Sequence, residues 1–206
     1  MISLFLDTSS KKLCVFLVKD NDILFYKDLE TNNDHSRYLV SFIDEALTSN
    51  NLKPSDVDKV FVVNGPGSFT GTRIAVTVGK TFAYSNNINV IPVSSLKQFI
   101  FNYSGYDYYV STLKDKGNRL YYGIYDKDYN DIIVDKYNTI DVYNEDVNKL
   151  DGNIVYILDG KIDNVNDNEP KLDILKLIEY YKDKEINPHY LKPNYLKHIE
   201  AEDKLW

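Results

Sequence analysis

Cysteine occurs once in the 206 residues, at Cys14, so no disulfide framework is available. The single thiol lies in an apolar run and reads as a buried cytosolic one. Histidine occurs three times, at His35, His189 and His198, and no two stand at metal-ligand spacing on a helix. Each reads as a capping or surface residue. Arginine is scarce beside lysine, asparagine, isoleucine and tyrosine, a bias of AT-rich coding more than of chemistry. Basic residues number 24 against 31 acidic ones, for a net charge of −7. That balance argues against a free-standing nucleic-acid binder, which needs surplus Lys and Arg to displace counterions. No apolar run approaches the roughly 20 residues of a membrane span. The opening MISLFLDTSS carries no basic segment and meets Asp7 too early for a signal peptide. These absences predict a soluble, cytoplasmic protein.

What is present begins with bulk. The chain is 43% hydrophobic and 14% aromatic, enough to bury a proper core in one large domain or two small ones. The stretch VFVVNGPGSFTGTRIAVTVGK, residues 60–80, is its centre. Residues 60–63 are β-branched or aromatic without interruption, which suits a strand buried on both faces. Asn64-Gly65-Pro66-Gly67 stops that strand, and Ser68 or Thr70 can cap a helix. Ile74, Val78, Phe82 and Ala83 follow at helical spacing. A strand, a glycine-rich turn and a helix place backbone N–H groups where they either receive an anion or pack two backbones closely.

In chain order, strands are predicted at 2–6, 13–18 and 23–26, forming a meander. A polar capping stretch at 31–36 precedes an amphipathic helix at 36–47, in which Tyr38, Leu39, Phe42, Ile43, Ala46 and Leu47 recur. After the central strand come a helix at 72–84, a strand at 90–93 and a short helix from 96 to 101. This βββαβαβα order fits a mixed sheet with helices on its faces, not a Rossmann unit. A boundary falls near residue 103, dividing an N-terminal lobe, 1–103, from a smaller C-terminal lobe, 104–206. The second lobe has strands at 109–113, 120–125, 132–137 and 155–158. A helix carrying Leu172, Leu175, Ile178 and Tyr181 follows, then a tail with two Tyr-Leu-Lys steps.

Several chemistries are open at this level. Asp7-Thr8-Ser9 after the first strand either orients a metal-bound phosphate or makes an Asx or ST turn. Gly79-Lys80-Thr81 imitates the end of a P-loop, but the required glycine five residues earlier is Ile74, and the segment lies inside a helix. Gly67-Ser68-Phe69-Thr70-Gly71 is one residue short of a nucleophile elbow. The helix at 72–84 has more small and apolar residues (Ala75, Val76, Val78, Gly79, Ala83) than one buried face needs. It is either deeply buried or docks on a partner.

LFLDTSSKKLCVFLV, a histidine before an amphipathic helix, GPGSFTGTRI and NVIPVSSL, in that order, resemble the TsaB (YeaZ) family. That family supplies the bacterial partner subunit in tRNA threonylcarbamoyladenosine (t6A) biosynthesis. The match is strong over roughly the first 101 residues. Beyond them, VSTLKDKGNRLYYGIY and NPHYLKPNYL look like degraded forms of the family's second-lobe hairpin and terminal segment. The resemblance implies an α/β fold of the actin/Hsp70/sugar-kinase-like (ASKHA, ribonuclease H-like) kind, two lobes of mixed sheet flanked by helices. It implies a scaffold subunit, not an enzyme by itself, with no cofactor. A TsaD-like catalytic subunit is the partner, a TsaE-like ATPase joins, and tRNA is reached only through the complex, which modifies adenosine 37 of tRNAs reading ANN codons. Ser95 and Phe99 stand where the catalytic relative has its metal-binding histidine pair, and neither is a useful transition-metal ligand. The two helices are implied to bundle with those of TsaD or of a second copy. Tyr38, Leu39 and Phe42 are the expected contacts on the first helix, with Arg73, Val76, Thr77 and Lys80 on the second. The rival expectations are an ATP-binding enzyme of the same fold, using Asp7, Thr8, Gly65 and Gly67 on phosphates, and a protease acting on its partner, for which no triad or metal motif is present.

Overall fold

The computed structural model describes residues 1–30, 34–160 and 168–197. The capping residues 31–33, His198 and the end of the tail lie outside the described residues. The described residues divide into two compact units, one from Met1–Ser95 with Ile174–Asn194, the other from Leu96–Asp173 with residues 195–197.

In the first unit, β1 (Ile2–Asp7), β2 (Lys12–Lys19) and β3 (Asp22–Glu30) form the antiparallel meander. β4 (Lys59–Gly65) and β5 (Val90–Ser94) add to β1 in parallel, so the sheet reads β3-β2-β1-β4-β5. The crossovers are α1 (His35–Thr48) and α2 (Phe69–Ser85). The period-2 face Leu4/Leu6, Leu13/Val15/Leu17 and Val60/Val62 meets the helical faces Leu39/Phe42/Ile43/Ala46 and Ala75/Val76/Ala83 in one core. α2 lies unusually close to the sheet, since a Cβ on Gly79 would stand 2.4 Å from Val62 Cγ2. The Ser68 hydroxyl accepts from the Gly71 N–H at 3.2 Å and caps α2. No side chain caps α1 at Asp34.

The second unit repeats the plan in shorter form. β6 (Tyr108–Lys114), β7 (Arg119–Asp126) and β8 (Asp131–Thr139) form an antiparallel meander, α3 (Ile140–Val147) crosses over, and β9 (Ile154–Asp159) joins β6 in parallel. The order β8-β7-β6-β9 has the connectivity of β3-β2-β1-β4.

Three expectations need correction. The lobe boundary is not a single cut near 103. Ser111 Oγ donates to the Leu96 carbonyl at 2.9 Å and Lys97 pairs with Asp131 at 2.8 Å, so 96–103 belong with the second sheet. The late helix and its sequel return to the first unit, where Ile186 exchanges backbone bonds with Val90 at 2.8 and 3.0 Å and Leu191 joins the core. That helix, α4 (Ile174–Tyr181), buries Ile174, Leu177, Ile178 and Tyr181, so the expected Ile178 and Tyr181 lie on its buried face and Leu172 and Leu175 do not. α3 was not expected. Only Tyr143 of its eight residues is fully buried, and Asp and Asn dilute its pattern.

Candidate functional site

The DTS turn and the glycine-rich turn meet, and they use their polar groups on each other. Asp7 Oδ1 accepts from the Ser9 N–H at 2.7 Å, an Asx turn. The buried Thr8 hydroxyl donates to the Gly71 carbonyl at 2.6 Å and accepts from the Ala75 N–H at 3.1 Å, tying the end of β1 to the first turns of α2. The Ser9 carbonyl accepts from the Ser68 N–H at 2.7 Å. The contact is tight enough that a Cβ on Gly71 would lie 1.9 Å from the Thr8 oxygen, and one on Gly67 would lie 2.4 Å from the Ser9 oxygen.

The far side of the turn is also engaged. Gly65 has φ +109°, in a region that favours glycine, and precedes a cis Gly65–Pro66 bond. Its carbonyl accepts from the Ser95 N–H at 3.0 Å, and the Ser95 hydroxyl donates to the Pro66 carbonyl. Asn194 N–H donates to the Asn64 carbonyl at 2.7 Å, and Asn64 Nδ2 donates to the Lys192 carbonyl at 3.0 Å. A Cβ at Gly65 would meet the Asn194 oxygen at 3.0 Å. The four residues named for phosphate binding, Asp7, Thr8, Gly65 and Gly67, are thus brought together, and the bonds they make are internal ones.

Among the described residues no group of three or more His, Cys, Asp or Glu side chains is placed to hold a metal ion. Ser95 is buried at the turn and Phe99 is half-buried. His35, expected as a capping or surface residue, is the first residue of α1 and is buried there. His189 is exposed, its ring 5.2 Å edge-on from Tyr84. Cys14 has its thiol pushed well above its ordinary value by burial, with the Asp7 and Asp28 charges adding to the effect.

The seven residues expected at an interface separate into two sets. Leu39, Phe42 and Val76, exposed by 0%, 6% and 6%, belong to the chain's own core. Tyr38, Arg73, Thr77 and Lys80 remain at or near the surface. Lys80 Nζ donates to the His189 carbonyl at 3.0 Å. Arg73 lies 4.0 Å over the Phe69 ring. Phe69 and Tyr84, both exposed, extend the surface of α2 at either end. Their positions (69, 73, 77, 80, 84) step by four, four, three and four, which is one helical stripe. Arg73, Thr77 and Lys80 of this stripe were among the expected contacts, and Phe69 and Tyr84 were not. Among the described residues no helix is long and apolar enough to cross a membrane.

Two mixed sheets of matching connectivity, each with a crossover helix, define an actin/Hsp70/sugar-kinase-like protein of two lobes. YeaZ from Pseudomonas aeruginosa superposes with a TM-score of 0.77 at 19% identity, over 95% of this chain and 99% of that one. The family model described as "TsaD: tRNA N6-adenosine threonylcarbamoyltransferase" matches residues 29–154. The TsaB protein of Bacillus subtilis is 32% identical over 126 residues, 61% of this chain and 55% of the relative. That of Haemophilus influenzae is 32% identical over 91 residues, 44% of this chain and 38% of the relative. The matched segments thus span about half or less of these curated relatives. The chain belongs to the tRNA N6-adenosine threonylcarbamoyltransferase family and, within it, to the TsaB (YeaZ) group.

Proposed function

We propose that this chain is a non-catalytic subunit that binds a TsaD-like catalytic subunit and supports t6A modification of adenosine 37 in tRNAs reading ANN codons. The Bacillus subtilis and Haemophilus influenzae relatives are both named tRNA threonylcarbamoyladenosine biosynthesis protein TsaB, which supplies the pathway. The observation that carries the non-catalytic reading is the closed pair of turns. The Thr8 hydroxyl and the Ser68 N–H, the groups a phosphate would address, are already bonded to Gly71, Ala75 and Ser9. The histidine positions of the catalytic relative hold Ser95 and Phe99, so metal chemistry is assigned to the partner.

The stripe Phe69, Arg73, Thr77, Lys80 and Tyr84, with Tyr38 of the adjoining α1, is the proposed docking face. A specific complex buries about 800 Å² on each side, and aromatic and arginine side chains are the usual anchors. The same face serves a homodimer when the chain is alone. A TsaE-like ATPase and tRNA join through the assembled complex, which is cytoplasmic.

Calorimetry separates this reading from an ATP-binding enzyme. Titrating the catalytic homologue is expected to give 1:1 binding, and titrating ATP with magnesium into the chain alone is expected to give no sub-micromolar event. Tight ATP binding by the free chain overturns the scaffold reading.

A further inference from the structure

Where β7 and β8 pair in the second sheet, the acidic chain gathers cations around two tilted rings. Tyr121 of β7 and Tyr137 of β8 are cross-strand neighbours, both half-buried, with ring centroids 4.6 Å apart and planes at 39°. Arg119 and Lys197 each lie 5.5 Å from the Tyr137 centroid. Asp115 fixes the arrangement: its carboxylate accepts from the Tyr137 hydroxyl at 2.8 Å and from Lys197 Nζ at 2.9 Å. Burial pushes that carboxyl up, but the bonds from Lys197 and Tyr137 outweigh it and hold it below its ordinary value.

The β6–β7 hairpin tip, KDKGNR at 114–119, has three cations to one acid in a chain of net charge −7, and that acid is the one engaged by Lys197. Among the described residues, Lys116 and Arg119 have no salt-bridge partner, and both are exposed. Two paired strands hold the rings, so little side-chain freedom is lost when something packs on them.

We propose that this cluster is a contact for single-stranded RNA, in which Lys116 and Arg119 meet backbone phosphates and the Tyr121–Tyr137 pair offers an aromatic surface to an unpaired base. The charge sign selects a polyanion, and the rings beside Arg119 select one with stackable bases over duplex RNA or an acidic protein. The choice of RNA rests on the proposed role in tRNA modification. It adds a contact made by this chain itself, where that role needs tRNA only through the complex. The overall acidity of the chain makes this an auxiliary contact, strengthened by a partner's own RNA site.

The test is fluorescence anisotropy with an unmodified tRNA transcript and a blunt RNA duplex of matched charge. It is run on the complex with the catalytic homologue and, at low salt, on the free chain. The Lys116→Glu/Arg119→Glu double variant is expected to weaken transcript binding about tenfold or more and to lower the slope of log affinity against log salt by about two. Tyr121→Leu is expected to cost about tenfold for the transcript with the slope unchanged. Ultraviolet crosslinking of wild-type protein is expected to mark the peptide containing Tyr121, a readout that needs no variant to fold. Unchanged affinity in both variants overturns the proposal, as does a salt effect without a Tyr121 effect or a crosslink, because the patch is then only a charged surface. A partner that fails to bind contradicts the proposed function, and the free-chain measurements still decide this inference.

Discussion

Thr8 is the residue on which the non-catalytic reading turns. Its hydroxyl serves one donor and one acceptor of α2 while its own carbonyl limits the space at Gly71. Thr8→Val keeps the shape and removes both bonds that tie β1 to α2, leaving the Gly71 carbonyl and the Ala75 N–H, four residues apart, only the bond of the helix itself. It is expected to lower the unfolding free energy by about 1–3 kcal/mol in urea denaturation. Gly71→Ala forces Thr8 and α2 apart and is expected to cost at least about 2 kcal/mol in the same measurement. A loss confined to a phosphate-binding activity, with stability intact, would contradict the structural role given to both. A different residue sets the acid sensitivity of the second unit. The hydrogen bond from Lys136, with further bonds from Tyr122 and Lys149, holds the Asp146 carboxyl well below the usual carboxylate range. A depressed folded-state value stabilises the fold above the unfolded value of about 3.9, and that contribution is lost as pH falls below it toward the folded value. Asp146→Asn is therefore expected to destabilise at pH 7 and to differ less from wild type near pH 3, in paired denaturation curves. At this scale the sequence showed which residues were special but not how they were used. Asp7, Thr8, Gly65 and Gly67 were visible as a group, but whether their polar atoms face a ligand or one another depends on contacts such as Thr8–Gly71, between residues 63 positions apart.

α2 is the element that joins the two halves of the account. Its buried face is legible in the sequence because Ala75, Val76, Gly79 and Ala83 follow the helical period. Gly79 is required there by the closeness of Val62, so Gly79→Ala is expected to push α2 from β4 and lower the melting temperature, at a cost of about 1–3 kcal/mol. The exposed face was harder to read. Leu39, Phe42 and Val76 were expected at an interface because apolar surplus looked like a docking surface. The sheet beneath and the packing of α1 beside α2 absorb it. What remains outside is amphipathic and mixed (Phe69, Arg73, Thr77, Tyr84), a composition that hydropathy alone does not flag. α3 and α4 were missed or misphased because eight residues contain barely two turns, too few for the helical period to be distinguished from chance.

For the whole molecule, the strand pattern was the most legible feature, because alternation and continuous apolar runs fix strands locally. The order βββαβα predicted a mixed sheet in the first unit, and the repeated connectivity in the second follows from the same meander-then-crossover pattern. Where the units divide was not legible. Leu96 and Ile186 take sides through bonds to Ser111 and Val90, which no composition shift records. Docking of the outer stripe of α2 on a catalytic partner is decided by the mass in solution from light scattering, on the chain alone and mixed with the catalytic homologue from the same genome. The informative variant is Thr77→Glu on the exposed face, since a charge at Val76 would disrupt the core instead of probing the surface. A 1:1 mixed complex is expected, which Thr77→Glu abolishes while the variant's own melting curve is unchanged. A chain that stays monomeric in both samples, or a complex that Thr77→Glu leaves intact, would contradict it.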